Sequence, residues 1–170
     1  MLRICGDDPN DLAFAELVRR YQQKILNFFA RLGVSEDDED MAQQTFLRLY
    51  RYRANYKPTA KVSTFLFLMA RQVWIDALRH RKRQEKMLEE FASQPHEEFS
   101  RSAAEEVDAA SETDLTRLVA TLPENFRIII ELGVYQEMPY SEIAEVLGIL
   151  VGTVKSRMFN ALALLRRKLS

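Results

Sequence analysis

Cysteine, histidine, glycine and proline are all scarce in this chain, and each shortage closes off a class of protein. Cys5 is the only cysteine among 170 residues, so no internal disulfide can form and no thiolate cluster can hold zinc. His80 and His96 are the only histidines, which argues against a histidine-based metal centre. No metal or other cofactor is expected. There is no apolar run long enough to span a bilayer and no signal-peptide pattern. Membrane insertion is therefore not expected, and a cytoplasmic location is. Runs of alternating β-branched residues bounded by turn signals are also missing, which leaves an all-α fold as the natural reading.

Net charge is another near-absence, −1 over the whole chain, but it is unevenly spread. Residues 1–83 hold 15 Lys/Arg against 10 Asp/Glu, residues 84–121 hold 3 against 10, and residues 122–170 hold 6 against 5. Such asymmetry marks segments with different partners. The middle stretch, with Pro95 and weak helical periodicity, reads as a flexible acidic linker. The expected layout is two small helical domains, 1–92 and 114–170, joined by residues 93–113. A chain this weakly charged binds DNA poorly alone, since affinity scales with the phosphates neutralised. Dependence on a larger partner follows.

Within 1–92, Asn10 or Asp11 is a candidate cap for a helix from about Leu12. Phe14, Leu17, Val18, Tyr21, Ile25, Phe28, Phe29 and Leu32 then recur at helical spacing and form a core stripe, with Gly33 ending the helix. Ser35 is a candidate cap for a second helix, whose acidic start over 36–40 suits the helix dipole. Met41, Ala42, Phe46 and Leu49 make its apolar face. Asp40, Gln43, Gln44 and Arg48 share another face, either solvated or used for docking.

From Arg48 to Arg83 there are 10 Lys/Arg against one acid, Asp76, with aromatics interleaved. Pro58 excludes helix at Lys57, so 56–61 reads as a loop, and Ser63 or Thr64 caps a helix from Phe65. Cations beside exposed rings suit single-stranded nucleic acid, where each stacked base contributes about 1–3 kcal/mol. Tyr56 and Phe65 are expected exposed, and Trp74 buried. The basic run 79–83 closes the helix and exceeds what C-terminal capping needs, which points to phosphate contact.

In 114–170, Pro123 opens a helix, and residues 138–169 form a helix-turn-helix. Ile143, Ala144, Val146 and Leu147 face inward, and Gly148 supplies the left-handed turn. Val154, Met158, Ala161, Leu162 and Leu165 share the buried face of the second helix. Gly152, Thr153, Lys155, Ser156 and Arg157 remain near its exposed start, able to reach phosphates and base edges. An αα-hairpin that merely packs is the plain alternative.

Two stretches carry a wider resemblance. FAELVRRYQQKILNFFARLG with DEDMAQQTFLRLYRYRANYKPTAKVSTFLFLMARQVWIDALRHRKR, and LPENFRIIIELGVYQEMPYSEIAEVLGILVGTVKSRM, stand in order across an acidic linker. Together they resemble the second and fourth regions of bacterial RNA polymerase sigma factors of the small extracytoplasmic-function group. The resemblance implies that Asp40, Gln43 and Gln44, continued by Phe46, Arg48 and Tyr50, dock on the clamp helices of the polymerase β′ subunit. It implies that Tyr56, Lys57, Lys61, Ser63, Thr64 and Phe65 capture a flipped base of the minus-ten element, with Arg71, Gln72 and Arg79 near the DNA. Gly152, Thr153, Lys155, Ser156 and Arg157 would read the minus-thirty-five element. Implied partners are core RNA polymerase, including its β flap, promoter DNA and an anti-sigma factor. Leu150 and Pro139 stand where relatives place polar caps, and Leu68 and Met69 replace the paired tryptophans of housekeeping sigma factors. No catalytic residue is implied. An enzyme acting on nucleic acid would need an acidic cluster, yet the acids of 36–40 lie outside the basic surface.

Overall fold

The computed structural model describes residues 9–33, 37–53, 59–91 and 112–169. Among the described residues seven α-helices follow one another: α1 (Pro9–Arg31), α2 (Asp38–Tyr52), α3 (Val62–Phe91), α4 (Glu112–Ala120), α5 (Glu124–Ile130), α6 (Tyr140–Leu147) and α7 (Val151–Leu169). No strand occurs among the described residues. Cys5, Ser35, Tyr56, Lys57, His96 and the linker residues 92–111 lie outside them.

Helix α1 begins earlier than its sequence suggests. Pro9 occupies the first helical position, where its fixed φ and missing N–H do no harm, so Asn10 and Asp11 lie inside the helix rather than capping it. The apolar stripe then decides the packing. Ile25, Phe28 and Phe29 are fully buried, and Phe28 meets Phe29 edge-on at 5.2 Å and Phe67 of α3 at 5.5 Å. Gly33 closes the helix at φ +83°, a conformation that costs other residues about 1–2 kcal/mol.

Helix α2 starts at Asp38, with Asp38, Glu39 and Asp40 in its first turn and no side-chain cap. Met41, Ala42, Phe46 and Leu49 are buried as expected, and Thr45 joins them by returning its hydroxyl to the Met41 carbonyl at 2.8 Å. Helix α3 starts at Val62, which overturns the capping role expected of Ser63 and Thr64: both lie in its first turn. It also runs through the basic residues 79–83 to Phe91, so those charges lie along the shaft and not at its end. Leu66, Phe67, Ala70, Val73 and Trp74 form its buried face.

In the second half, Pro123 precedes α5, as expected. The helix then widens into one π-helical turn, Glu131–Tyr135, in which the Gln136 N–H bonds the Glu131 carbonyl at 3.0 Å. Glu137, at φ +52°, ends it. Gly148, at φ +64°, turns α6 into α7. Val154, Met158, Ala161 and Leu165 are buried. Leu162 is not: it is 39% exposed, and Leu164 packs against the core in its place. The helical phase carries residue 162 outward once α5 and α6 have taken the inner face.

The two halves do not sit apart. Their buried side chains form one continuous cluster, from Ile25 in α1 to Leu165 in α7. Helix α6 lies against α3, and α4 also touches α1.

Candidate nucleic-acid interface

Helix α2 presents Asp40, Gln43 and Gln44 to solvent on one side, because the same helix spends Met41, Thr45 and Phe46 on the core. Leu47, 44% exposed, and Arg51 extend this face by one and two further turns. Sequence reasoning missed both, although their i+3 and i+4 spacing from Gln44 and Leu47 marks them. Phe46 is only 7% exposed and supports the face from behind. Tyr50 is half-buried: its ring meets Phe14 edge-on at 5.0 Å, Arg53 stacks 3.6 Å above it, and its hydroxyl donates to Asp11 at 3.3 Å.

Helices α2 and α3 together form a shallow open cleft lined by Arg48, Arg51, Tyr52 and Gln72. The cleft joins residues read for two different tasks, Arg48 for docking and Gln72 for DNA. Asp76 ties them further, accepting from Arg48 at 2.7 Å and facing Arg79 at 3.9 Å. The single acid of the basic stretch therefore orients two cations rather than opposing them. Arg71 is half-buried beside this region, and its desolvation lowers its pKa from the usual guanidinium range.

The start of α3 is more enclosed than its sequence suggests. Phe65 is half-buried and packs against the core, not exposed. Thr64 is 3% exposed, and Ser63 is half-buried. Lys61 is exposed but engaged, 2.6 Å from Glu142 of α6. Trp74 is buried as expected, and its indole N–H finds no acceptor among the described residues. Tyr56 and Lys57 fall outside the described residues, so the full set read around Phe65 is not brought together here.

In α7, Gly152, Lys155 and Ser156 are exposed, while Thr153 and Arg157 are half-buried. The helix start lacks a side-chain cap. Leu150, 79% exposed, has no polar side-chain atom and contributes its carbonyl, which accepts from Thr153 at 2.9 Å and Val154 at 3.1 Å. Among the described residues no group of His, Cys, Asp or Glu could hold a metal ion, and no single helix is long and apolar enough to cross a membrane.

Residues 17–84 match the family described as sigma-70 region 2, and residues 112–165 match sigma-70 region 4. Across its full length the chain is 30% identical to the ECF RNA polymerase sigma factor RpoE of Cereibacter sphaeroides, spanning 93% of that protein. The chain belongs to the ECF RNA polymerase sigma factors. A second member of this group, SigW of Bacillus subtilis, is 32% identical over 92% of the chain and 89% of its own length. As in other sigma factors, the role of the chain is in transcription initiation. The fold agrees. RpoE of Bartonella quintana, solved in complex with the anti-sigma factor NepR, superposes with a TM-score of 0.74 at 20% identity, over 92% of this sigma factor and 96% of that chain. CnrH, solved with the cytosolic domain of CnrY, superposes with a TM-score of 0.69 at 22% identity, over 95% and 90%. The cleft between α2 and α3 thus lies in the region 2 half of this sigma factor, and the open start of α7 in its region 4 half.

Proposed function

We propose that this chain joins core RNA polymerase and directs it to two promoter elements, opening the DNA at the downstream one. Docking falls to the exposed Asp40, Gln43 and Gln44 face of α2, against the clamp helices of β′, and a second contact from the region 4 half reaches the β flap. The basic cleft of Arg48, Arg51, Tyr52 and Gln72, with Arg79 alongside, follows the phosphates of the minus-ten strand. Lys61, Ser63, Thr64 and Phe65 at the start of α3, with Tyr56 and Lys57 before them, take a flipped base. Extruding a base costs a few kcal/mol, which stacking and pocket contacts must offset, so capture selects for sequence. The start of α7, through Gly152, Thr153, Lys155, Ser156 and Arg157, reads the minus-thirty-five duplex. An anti-sigma factor is the expected negative partner, since a sigma factor of similar fold was solved in complex with one. The chain supplies no chemistry; the polymerase makes the bonds. Its place of action is the cytoplasm, where the polymerase works.

One observation carries this reading: a polar docking face and a cation-lined cleft adjoin on α2 and α3, while α7 separately offers an open helix start. A gel shift on genomic promoter fragments, with and without core enzyme, tests it. Sequence-specific complexes should need the core enzyme. Tight specific binding by the chain alone would instead mark a stand-alone regulator.

A further inference from the structure

The two halves meet through polar contacts as well as through the core, among them two built on ion pairs. At the first, the end of α1 meets α5 and its π turn. Arg31 donates to Glu131 at 3.3 Å and stacks 4.0 Å from the Tyr135 ring, while Arg127 donates to the Leu32 carbonyl at 2.9 Å. At the second, Glu142 of α6 reaches the start of α3. One carboxylate oxygen lies 2.6 Å from the Lys61 ammonium, and the other accepts from the Thr64 hydroxyl at 3.2 Å.

The second contact has a chemical meaning that the first lacks. An ammonium and a hydroxyl side by side at the start of α3 hold this carboxylate, and the same two groups can hold a phosphate. Lys61 and Thr64 belong to the proposed strand-capture set. Glu142 is 18% exposed and Lys61 67%, so the carboxylate is enclosed while the ammonium still faces solvent, where a phosphate can reach it. Meanwhile Asp40, Gln43 and Gln44 on α2, and Gly152, Lys155 and Ser156 on α7, stay open. Closure therefore hides one function and leaves two exposed.

We propose that Glu142 is an internal latch: its carboxylate takes the place of a strand phosphate at Lys61 and Thr64, so the closed chain cannot capture single-stranded DNA until α6 leaves α3. The duplex-reading and polymerase-docking faces can engage while the latch is shut. Strand capture then waits on separation of the halves. This places the latch after docking in the order of events, and it rests on the reading of α3 as the strand-capturing element.

The test uses the full chain carrying Cys5→Ser, with dyes on cysteines introduced at Gln22 in α1 and Ala163 in α7, both exposed. Energy transfer between the dyes reports closure. In parallel, a fluorescent single-stranded oligothymidylate reports binding by the free chain. Glu142→Gln should lower the transfer and raise oligothymidylate affinity by about threefold to tenfold. Glu145→Gln, a matched loss of charge on the exposed side of the same helix, should do neither. The exchange Lys61→Glu with Glu142→Lys should restore the transfer. Unchanged transfer in Glu142→Gln would overturn the latch. Reduced transfer with unchanged affinity would overturn the masking, and equal gains in Glu142→Gln and Glu145→Gln would reduce the effect to net charge. If the wild-type holoenzyme starts no transcript while the transfer responds as expected, the functional reading fails and the latch stands as a contact between the halves.

Discussion

Glu131 is the residue the sequence conceals best. It lies in an amphipathic stretch among Ile130, Leu132 and Val134, yet its side chain is fully buried. Burial pushes its carboxyl up to about 7, against the pull of Gln136 at 3.0 Å and Arg31 at 3.3 Å. One of its oxygens has no partner among the described residues. An acid raised in the folded state binds its proton more tightly there than in the unfolded chain. Its stabilising effect is full below pH 4.5 and is lost as pH rises to about 7, at up to roughly 1.4 kcal/mol per pH unit. Glu131→Gln should flatten this slope and leave the protein more stable than wild type above pH 7, as measured by urea melts across pH. An unchanged slope would mean that the carboxyl is not buried in solution. Leu150 is the opposite case, a large apolar side chain standing in water at the start of α7. Leu150→Ser should add a cap bond to the free N–H groups there and raise stability by about 1 kcal/mol, read as a higher melting temperature. No change would mean that the backbone turn already satisfies the helix start.

At the scale of elements, the proposed function assigns α2 and α3 distinct tasks on adjoining faces. Asp40→Ala with Gln43→Ala removes polar atoms from an exposed face, so the fold should hold while core polymerase binding weakens in a pull-down; equal recovery would remove docking from this face. Phe65→Ala should spare closed-complex binding yet slow strand opening, seen as reduced permanganate reactivity. Normal opening would shift strand capture away from the start of α3. The helices were legible where one periodicity ran unbroken: the α1 stripe, the inner face of α2, and the helix-turn-helix with Gly148 at its corner all follow from spacing. Helix starts were not. Helices α1, α2 and α3 begin at Pro9, Asp38 and Val62, not after the capping residues that a sequence reader seeks, and α2 has no side-chain cap. Phe65 and Leu162 were misjudged because exposure depends on which neighbour covers a face. The core against which Phe65 packs is shared by both halves, and α5 and α6 take the inner face of α7 and leave Leu162 outside. The candidate docking residues could be read from one helix alone, whereas the cleft needed both α2 and α3.

At the scale of the molecule, two halves separated in sequence by an acidic stretch share one core and a polar seam. The uneven charge makes sense in this setting. The region 2 half holds the surplus of cations, and Glu142 from the region 4 half pairs with one of them, Lys61. No contact across the seam could be read from the sequence, because 81 positions separate Lys61 from Glu142 and neither lies in a motif that names the other. The central claim is that the chain gives core polymerase the ability to start transcription at chosen sites. In vitro transcription of the host genome by purified core polymerase, with and without the chain, tests it most directly when transcript 5′ ends are mapped. Discrete start sites that depend on the chain and share upstream sequence at two fixed spacings are expected. The absence of chain-dependent starts, under conditions where a control sigma factor initiates with the same core enzyme, would contradict it.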